Sequence, residues 1–320
     1  MKTHKEIYLG AQKLATSFDE VSGTEVKVDG ETFYKITNYD AMRPFFMSIV
    51  SNSNHWMFIS STGGLTAGRK NSNFALFPYY TDDKITESSE TTGSKTLCLV
   101  SRSGKTSLWE PFSTRYEGVY DLSRNLYKNS YGNKVKFEEV NHDLGLTFSY
   151  EWNSSDKFGF VRKSALINHG SEAVSVQFID GLQNLLPYGV EDALQNASSN
   201  LVDAYKKCEL ETSVGLGLFS LSAIIVDKAE PSEALRSNVA WSLGRPNAIR
   251  LLSSKQLNAF RNGEMPKQEV DIQAESGAYM LCDTVELPAG VAEHWRLLAD
   301  VNNGPLEVGA RLEPLARPQD

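Results

Sequence analysis

The chain has little of what most metalloenzymes, secreted scaffolds and nucleic-acid binders display. Its 320 residues include three cysteines, Cys98, Cys208 and Cys282, and five histidines. The cysteines are odd in number, far apart and set in apolar surroundings such as "TLCLV", which suits neither a disulfide framework nor a thiolate metal site. Buried free thiols in a reducing cytoplasm are the expectation that remains. The histidines, His4, His55, His142, His169 and His294, share no metal-ligand spacing, so no metal is expected. Positive charge is scarce as well: 32 Lys and Arg against 40 Asp and Glu give a net charge of -8. A phosphate-backbone binder needs a basic surface, so nucleic acid is not an expected partner. No apolar run approaches the length of a membrane span. The N-terminal "MKTHKEIYLGAQKLATSF" lacks the apolar core and cleavage site of a secretory leader. A nucleophile elbow, G-x-S-x-G, is also missing.

One stretch nearly spells a nucleotide-binding loop. In "SSTGGLTAGRK", Gly63 and Gly68 stand at the spacing of G-x-x-x-x-G-K-[ST]. The motif's lysine, however, is Arg69, and its hydroxyl position is Lys70. The following "NSNFALFPYY" carries Pro78 and aromatic β-formers where a phosphate loop requires a helix. The expectation is therefore a tight turn between two strands, with no nucleotide cofactor. Arg69 and Lys70, on an exposed turn, are retained as contacts for an anionic or polyhydroxyl ligand.

What the chain does have is alternation with period two. "LTFSYEW" sets Phe148, Tyr150 and Trp152 against Thr147, Ser149 and Glu151. "VSVQFI" sets Val174, Val176 and Phe178 on one face. "EHWRLLADV" does the same with Trp295, Leu297, Ala299 and Val301. Asp29-Gly30 tips a hairpin in "VKVDGETFYKI". Many strands at short intervals, with few helical patterns between them, predict a mainly β, antiparallel sandwich. Three helices are expected: one within residues 1–20 near Ile7 to Leu14, one over Val190–Lys207, and a short one in "SSKQLNAFRNG". No linker divides the chain, so residues 1–302 read as one sandwich domain. Pro305, Pro314 and Pro318 punctuate residues 303–320, which read as the start of a linker or tail.

Acid–base candidates are spread thinly. His142 and His169 each sit at a turn. The carboxylates Glu138, Glu139 and Asp143, then Glu191 and Asp192, then Asp227, Glu230 and Glu233, form no diagnostic pair. The aromatic segment Trp109–Tyr131 is more suggestive. Trp109, Phe112, Tyr116, Tyr120, Tyr127 and Tyr131 mix there with Arg115, Arg124 and amides. Rings beside hydrogen-bonding groups are what sugar recognition uses. Pro111 interrupts a strand, and the segment is expected to be a long loop that reaches a sugar or a neighbouring domain. Trp109, Arg115 and Tyr116 from this segment, with Arg69 from the glycine turn, are the candidate carbohydrate or interdomain contacts.

The strand–"LPAG"–strand ending and "ALINHGSEAVSVQFIDGLQNLLP" resemble the N-terminal β-sandwich of cellobiose-phosphorylase-like enzymes, a galactose-mutarotase-like supersandwich. The resemblance implies a non-catalytic domain of a larger glycoside phosphorylase or hydrolase. It further implies a carbohydrate ligand, a C-terminal catalytic (α/α) barrel as partner, and participation in a homodimer. It transfers no catalytic residue, because the family's catalytic acid belongs to the barrel. Two alternatives stay open: a stand-alone sugar mutarotase or epimerase, for which His142 and His169 are the candidate acids, and a free carbohydrate-binding module.

Overall fold

The structure is a computed structural model that describes residues 6–15, 20–197, 199–223 and 235–315. Its frame is an 11-stranded antiparallel sheet in the order Asp271–Gln273, Lys206–Glu211, Leu216–Leu221, Ser237–Leu243, Ala292–Asn303, Gly159–Asn168, Leu146–Ser155, Val135–Asn141, Leu122–Asn129, Glu31–Thr37 and Ser22–Val28. A five-stranded sheet built on Gly93–Arg102, Val174–Leu185 and Gly277–Leu287 covers one face, together with a four-stranded sheet that includes His55–Ser60 and Leu65–Arg69. One core cluster joins all three sheets. The mainly β architecture predicted from the alternation is thus present.

The register shows how the alternation builds that core. Trp152 pairs with Val135 and Arg162, and Tyr150 pairs with Phe137 and Ser164. Residues opposite one another share a face, so each inward position extends a row across the sheet. Val174, Val176 and Phe178 meet this face from the covering sheet, where Phe178 stacks on Trp295 at 4.6 Å. Fully burying a side chain of this size contributes about 1.5–3 kcal/mol.

The interior is not wholly apolar. Arg162 and Asp180, both fully buried, face each other across the layers with Nη1 to Oδ2 at 2.7 Å. Ser164 and Trp295 donate to the same carboxylate oxygen at 2.9 and 2.6 Å, and Thr96 donates to the other at 2.7 Å. The guanidinium also lies 4.6 Å from the centre of the Tyr150 ring. An unpaired charge here is strongly destabilising, and the converging donors show how this one is held.

Three local expectations change. Residues near Ile7 to Leu14 form a small hairpin, Tyr8–Leu9 with Gln12–Lys13, not a helix. Gly10 takes φ 61 at its tip, a backbone state that suits glycine and interrupts a helix. Of the helix expected over Val190–Lys207, Asp192–Ala197 and Ser199–Tyr205 are helical, and it ends early because the chain then enters the strand Lys206–Glu211. There the ladder with Leu216–Leu221 takes precedence over helical periodicity. Within the Trp109–Tyr131 segment only residues 110–121 and the turn residues 130–131 lie outside strands, because Leu122–Asn129 joins the large sheet. Its alternation is masked in the sequence because Arg124 and Lys128 share a face with Leu126.

The hairpin at Asp29-Gly30 and the turn at Gly63 form as expected. Gly63, at φ 90, closes His55–Ser60 onto Leu65–Arg69. Helix Leu257–Arg261 covers the outer face of the five-stranded sheet through Leu257 and Phe260. Helix Pro305–Leu315 lies on the outer face of the large sheet, with Val308, Leu312 and Leu315 against Trp241 and Leu298. The three cysteines are buried and free.

Candidate functional site

The strand Lys105–Trp109 stops at Pro111, which has no N–H to give a ladder. The loop that follows is fastened at its start to the Glu139 carboxylate. Val135, Phe137, Glu139 and Asn141 form the inward row of their strand, which places Glu139 among apolar neighbours at 0% exposure. Trp109 Nε1 donates to its Oε1 at 2.7 Å. The Phe112 backbone N–H and Arg124 Nε donate to its Oε2 at 2.8 and 2.7 Å. Arg124 stands directly opposite Glu139 in the strand register, and its Nη2 also reaches the Ser113 carbonyl at 3.1 Å. Burial disfavours the Arg124 charge, but Glu139 outweighs it, and the guanidinium is held above its ordinary pKa.

Phe112 has φ 63. A left-handed backbone costs an L-residue about 1–2 kcal/mol, and strain of this kind clusters at functional positions. Its N–H bond to Glu139 and edge contacts with Phe137, Phe148 and Tyr150, at 6.2, 6.2 and 5.1 Å, hold the conformation in place.

A second charged array supports the same loop. Arg261 grips Glu110 with two hydrogen bonds, 2.9 and 2.8 Å. Lys95 pairs with both Glu110 and Glu90. Glu90 Oε1 accepts from Ser113 Oγ at 2.8 Å and from the Thr114 N–H at 2.9 Å. Burial raises the Glu110 carboxyl pKa, yet Arg261 and Lys95 outweigh it and hold the group below its usual range. The same balance, with Lys95 as the main counterweight to burial, lowers Glu90.

Between this loop, the turn at Ser61–Gly64 and the segment around Tyr39 lies a cleft of about 270 Å³. Tyr39, Asp40, Thr62, Phe112, Thr114 and Arg124 are among the residues that line it. Asp40 stands 4.0 Å from Arg124 Nη1. Behind Phe112 a chamber of about 20 Å³ reaches Ser94, Thr96 and Tyr150, room for one water or one hydroxyl group. The cleft thus offers ring edges, hydroxyls, a guanidinium and a carboxylate around a space the size of a small ring. That set can dock CH faces and satisfy several hydroxyls at once. No histidine lines it among the described residues.

The residues predicted from sequence are placed unevenly. Trp109 is a core residue, 1% exposed, and its candidacy as a ligand or interdomain contact gives way to a supporting role beneath the loop. Arg115 is exposed and Tyr116 half-buried on the loop, and neither lines the cleft. Arg69 does not project freely: it is held by the Asp156 carbonyl at 3.0 Å and faces Asp300 at 3.4 Å, beside the C-terminal helix. His142 contacts Ser123 Oγ at 2.8 Å and His169 contacts Thr147 Oγ1 at 2.9 Å, two separate surface positions. Asp227, Glu230 and Glu233 lie outside the described residues. Phe112, Arg124 and Glu139 carry the geometry. Their signal in the sequence is a carboxylate at an inward register position, flanked by Val135 and Phe137, beside a proline-broken aromatic strand.

The fold is that of a mainly β protein of large antiparallel sheets. No protein-family model matches the chain, and no curated protein matches it. Solved structures similar to it include a polysaccharide lyase, at 11% identity and TM-score 0.46 over 85% of this chain and 34% of that one. A bacterial glucoamylase complexed with acarbose matches at 8% identity and TM-score 0.47, over 87% of this chain and 36% of that one. A galactose mutarotase-like protein from Lactobacillus casei matches at 10% identity and TM-score 0.41, over 80% of this chain and 100% of that one. The chain spans about a third of the length of the lyase and the glucoamylase.

Proposed function

We propose that the chain is a carbohydrate-binding β-sandwich, and that it serves a larger glycoside phosphorylase or hydrolase without supplying the reacting groups itself. The observation that carries this reading is the cleft beside Phe112. It is polar, ring-walled and sized for one sugar unit, and it is built on a strained loop that buried ion pairs hold rigid. A preformed site of this kind loses little entropy on binding a rigid ring. The packing of helix Pro305–Leu315 against the large sheet supports a role in docking a following domain, since Arg311 there stacks 4.8 Å from the Trp241 ring and pairs with Asp300 at 2.6 Å.

Proton NMR titration of the chain with glucose, galactose and cellobiose tests the reading. Shifts should appear at Phe112, Thr114 and Tyr39, and Asp40→Ala should weaken the affinity by roughly tenfold, the loss of one hydrogen bond to a charged group. Absence of binding by all three sugars would overturn the reading. Catalysed exchange of α and β anomers, lost in His142→Ala or His169→Ala, would replace it with the epimerase alternative.

A further inference from the structure

The large sheet ends on the strand Ser22–Val28, and among the described residues nothing pairs with its outer side. The strand runs seven residues without proline or a register shift, and most of it is exposed. Long bare edges are templates for pairing, and proteins usually blunt them. The backbone of this one can be read from its turn. A two-residue turn, Asp29-Gly30 with φ 49 and 81, joins it to Glu31–Thr37, with Val28 opposite Glu31. Such a turn closes on a hydrogen-bonded pair, and bonding alternates along an antiparallel strand. Val28, Val26 and Thr24 therefore spend their N–H and C=O groups on the inner neighbour, while Lys27, Glu25 and Gly23 aim theirs outward.

We propose that this edge pairs with the same edge of a second copy of the chain, antiparallel and centred on Val26. This goes beyond sugar binding and does not depend on it. In that register Glu25 meets Lys27 of the second copy, and Lys27 meets its Glu25. The outward backbone groups of the two residues then bond each other, and each directly opposite side-chain pair has opposite charge. A slip of one residue would mismatch the outward hydrogen-bonding groups, and a slip of two would set Lys27 against Lys27 or Glu25 against Glu25, so backbone and charge order together select the pairing. A groove of about 310 Å³, with Tyr34, Ile36, Phe45 and Met47 along its wall, lies on the face shared by Glu25 and is lined by Glu25 itself. The contact is small. Interfaces below about 1,200 Å² belong to the weak class, so association is expected in the micromolar range.

The test uses the full chain in sedimentation velocity, with circular dichroism and thermal melts confirming that each variant is folded. The wild type should show concentration-dependent dimers. Lys27→Glu should raise the dissociation constant roughly tenfold or more by setting like charges opposite each other twice. Adding Glu25→Lys to that variant should restore the dimer. Val26→Cys, adjacent to its copy across the axis, should give a disulfide-linked dimer under mild oxidation, and Thr24→Cys should not. A chain that stays monomeric throughout overturns the proposal. A dimer indifferent to Lys27→Glu, or equal cross-linking by the two cysteine variants, shows that another surface is in use and overturns it as well.

Discussion

Two Arg–carboxylate pairs have their arginines on the inward face of the large sheet, and their surroundings differ. Arg162 and Asp180 are sealed, each at 0% side-chain exposure. Arg124 keeps 12% of its side chain exposed towards the cleft, while its partner Glu139 keeps none. The sealed pair ties two layers together. The open pair ties a strand to a loop and leaves one end of its guanidinium facing solvent and Asp40. Similar chemistry thus acts as a cross-brace where water is excluded and as a site-building element where water enters, and exposure decides which.

The contrast is best broken at its sealed end. Asp180→Ala strands the Arg162 charge and should cost about 3–5 kcal/mol in urea unfolding, whereas the joint replacement Arg162→Met with Asp180→Leu should recover most of that loss. If the joint variant is no better than Asp180→Ala, the layers depend on the hydrogen-bond network and not on charge neutrality. At the open end, Arg124→Met should cost less, about 1–3 kcal/mol, because Trp109 Nε1 and the Phe112 N–H still donate to Glu139. The same variant should lose sugar affinity. Equal costs at the two ends would erase the distinction.

The smallest effect is read from pH. Burial, helped by the nearby Arg69 charge, lowers the His55 pKa from 6.5 to about 4. Its neutral form is the one the fold accommodates, so its contribution is complete above pH 6.5 and declines as pH falls towards 4. Glu110 and Glu90 are lowered from 4.5, so their contribution is complete above that value and is lost only on further acidification. Thermal melts should therefore slope gently between pH 6.5 and 4.5 and steeply below. His55→Phe should flatten the first window alone. A slope that survives in that window assigns the titration elsewhere.

The two regions also differ in how far their sequence could be read. The rows of Phe148, Tyr150 and Trp152 and of Val174, Val176 and Phe178 declare their buried face by alternation, and the sheets follow. Arg162, Asp180 and Glu139 occupy inward positions in those same rows, but a charged residue at an inward position looks like a break in the pattern until a partner from another strand is known. That partner is a long-range contact: Asp180 lies across the layers and Arg124 across a strand register. The loop after Trp109 was legible in its breaker, Pro111. Which of its rings faces the cleft was not, because a left-handed turn at Phe112 sets the direction of every residue after it. The helix over Val190–Lys207 was legible in its body and missed only at its ends, since the strand begins at Lys206 and its alternation is not yet visible there.

Gly64 sits on the turn that imitates a nucleotide loop, and a Cβ built there would lie 1.9 Å from the Ile85 carbonyl oxygen. Two backbones therefore touch directly beside the cleft, with no side chain between them. The spacing of Thr62 and Thr86, which line the cleft next to Gly64 and Ile85 in the chain, is thus set by main-chain atoms, whereas Thr114 on the facing loop is exposed and less constrained. One wall of the cleft therefore has a fixed frame: Gly64→Ala would push two backbones apart, and should disturb the cleft more than a change at Thr114 would.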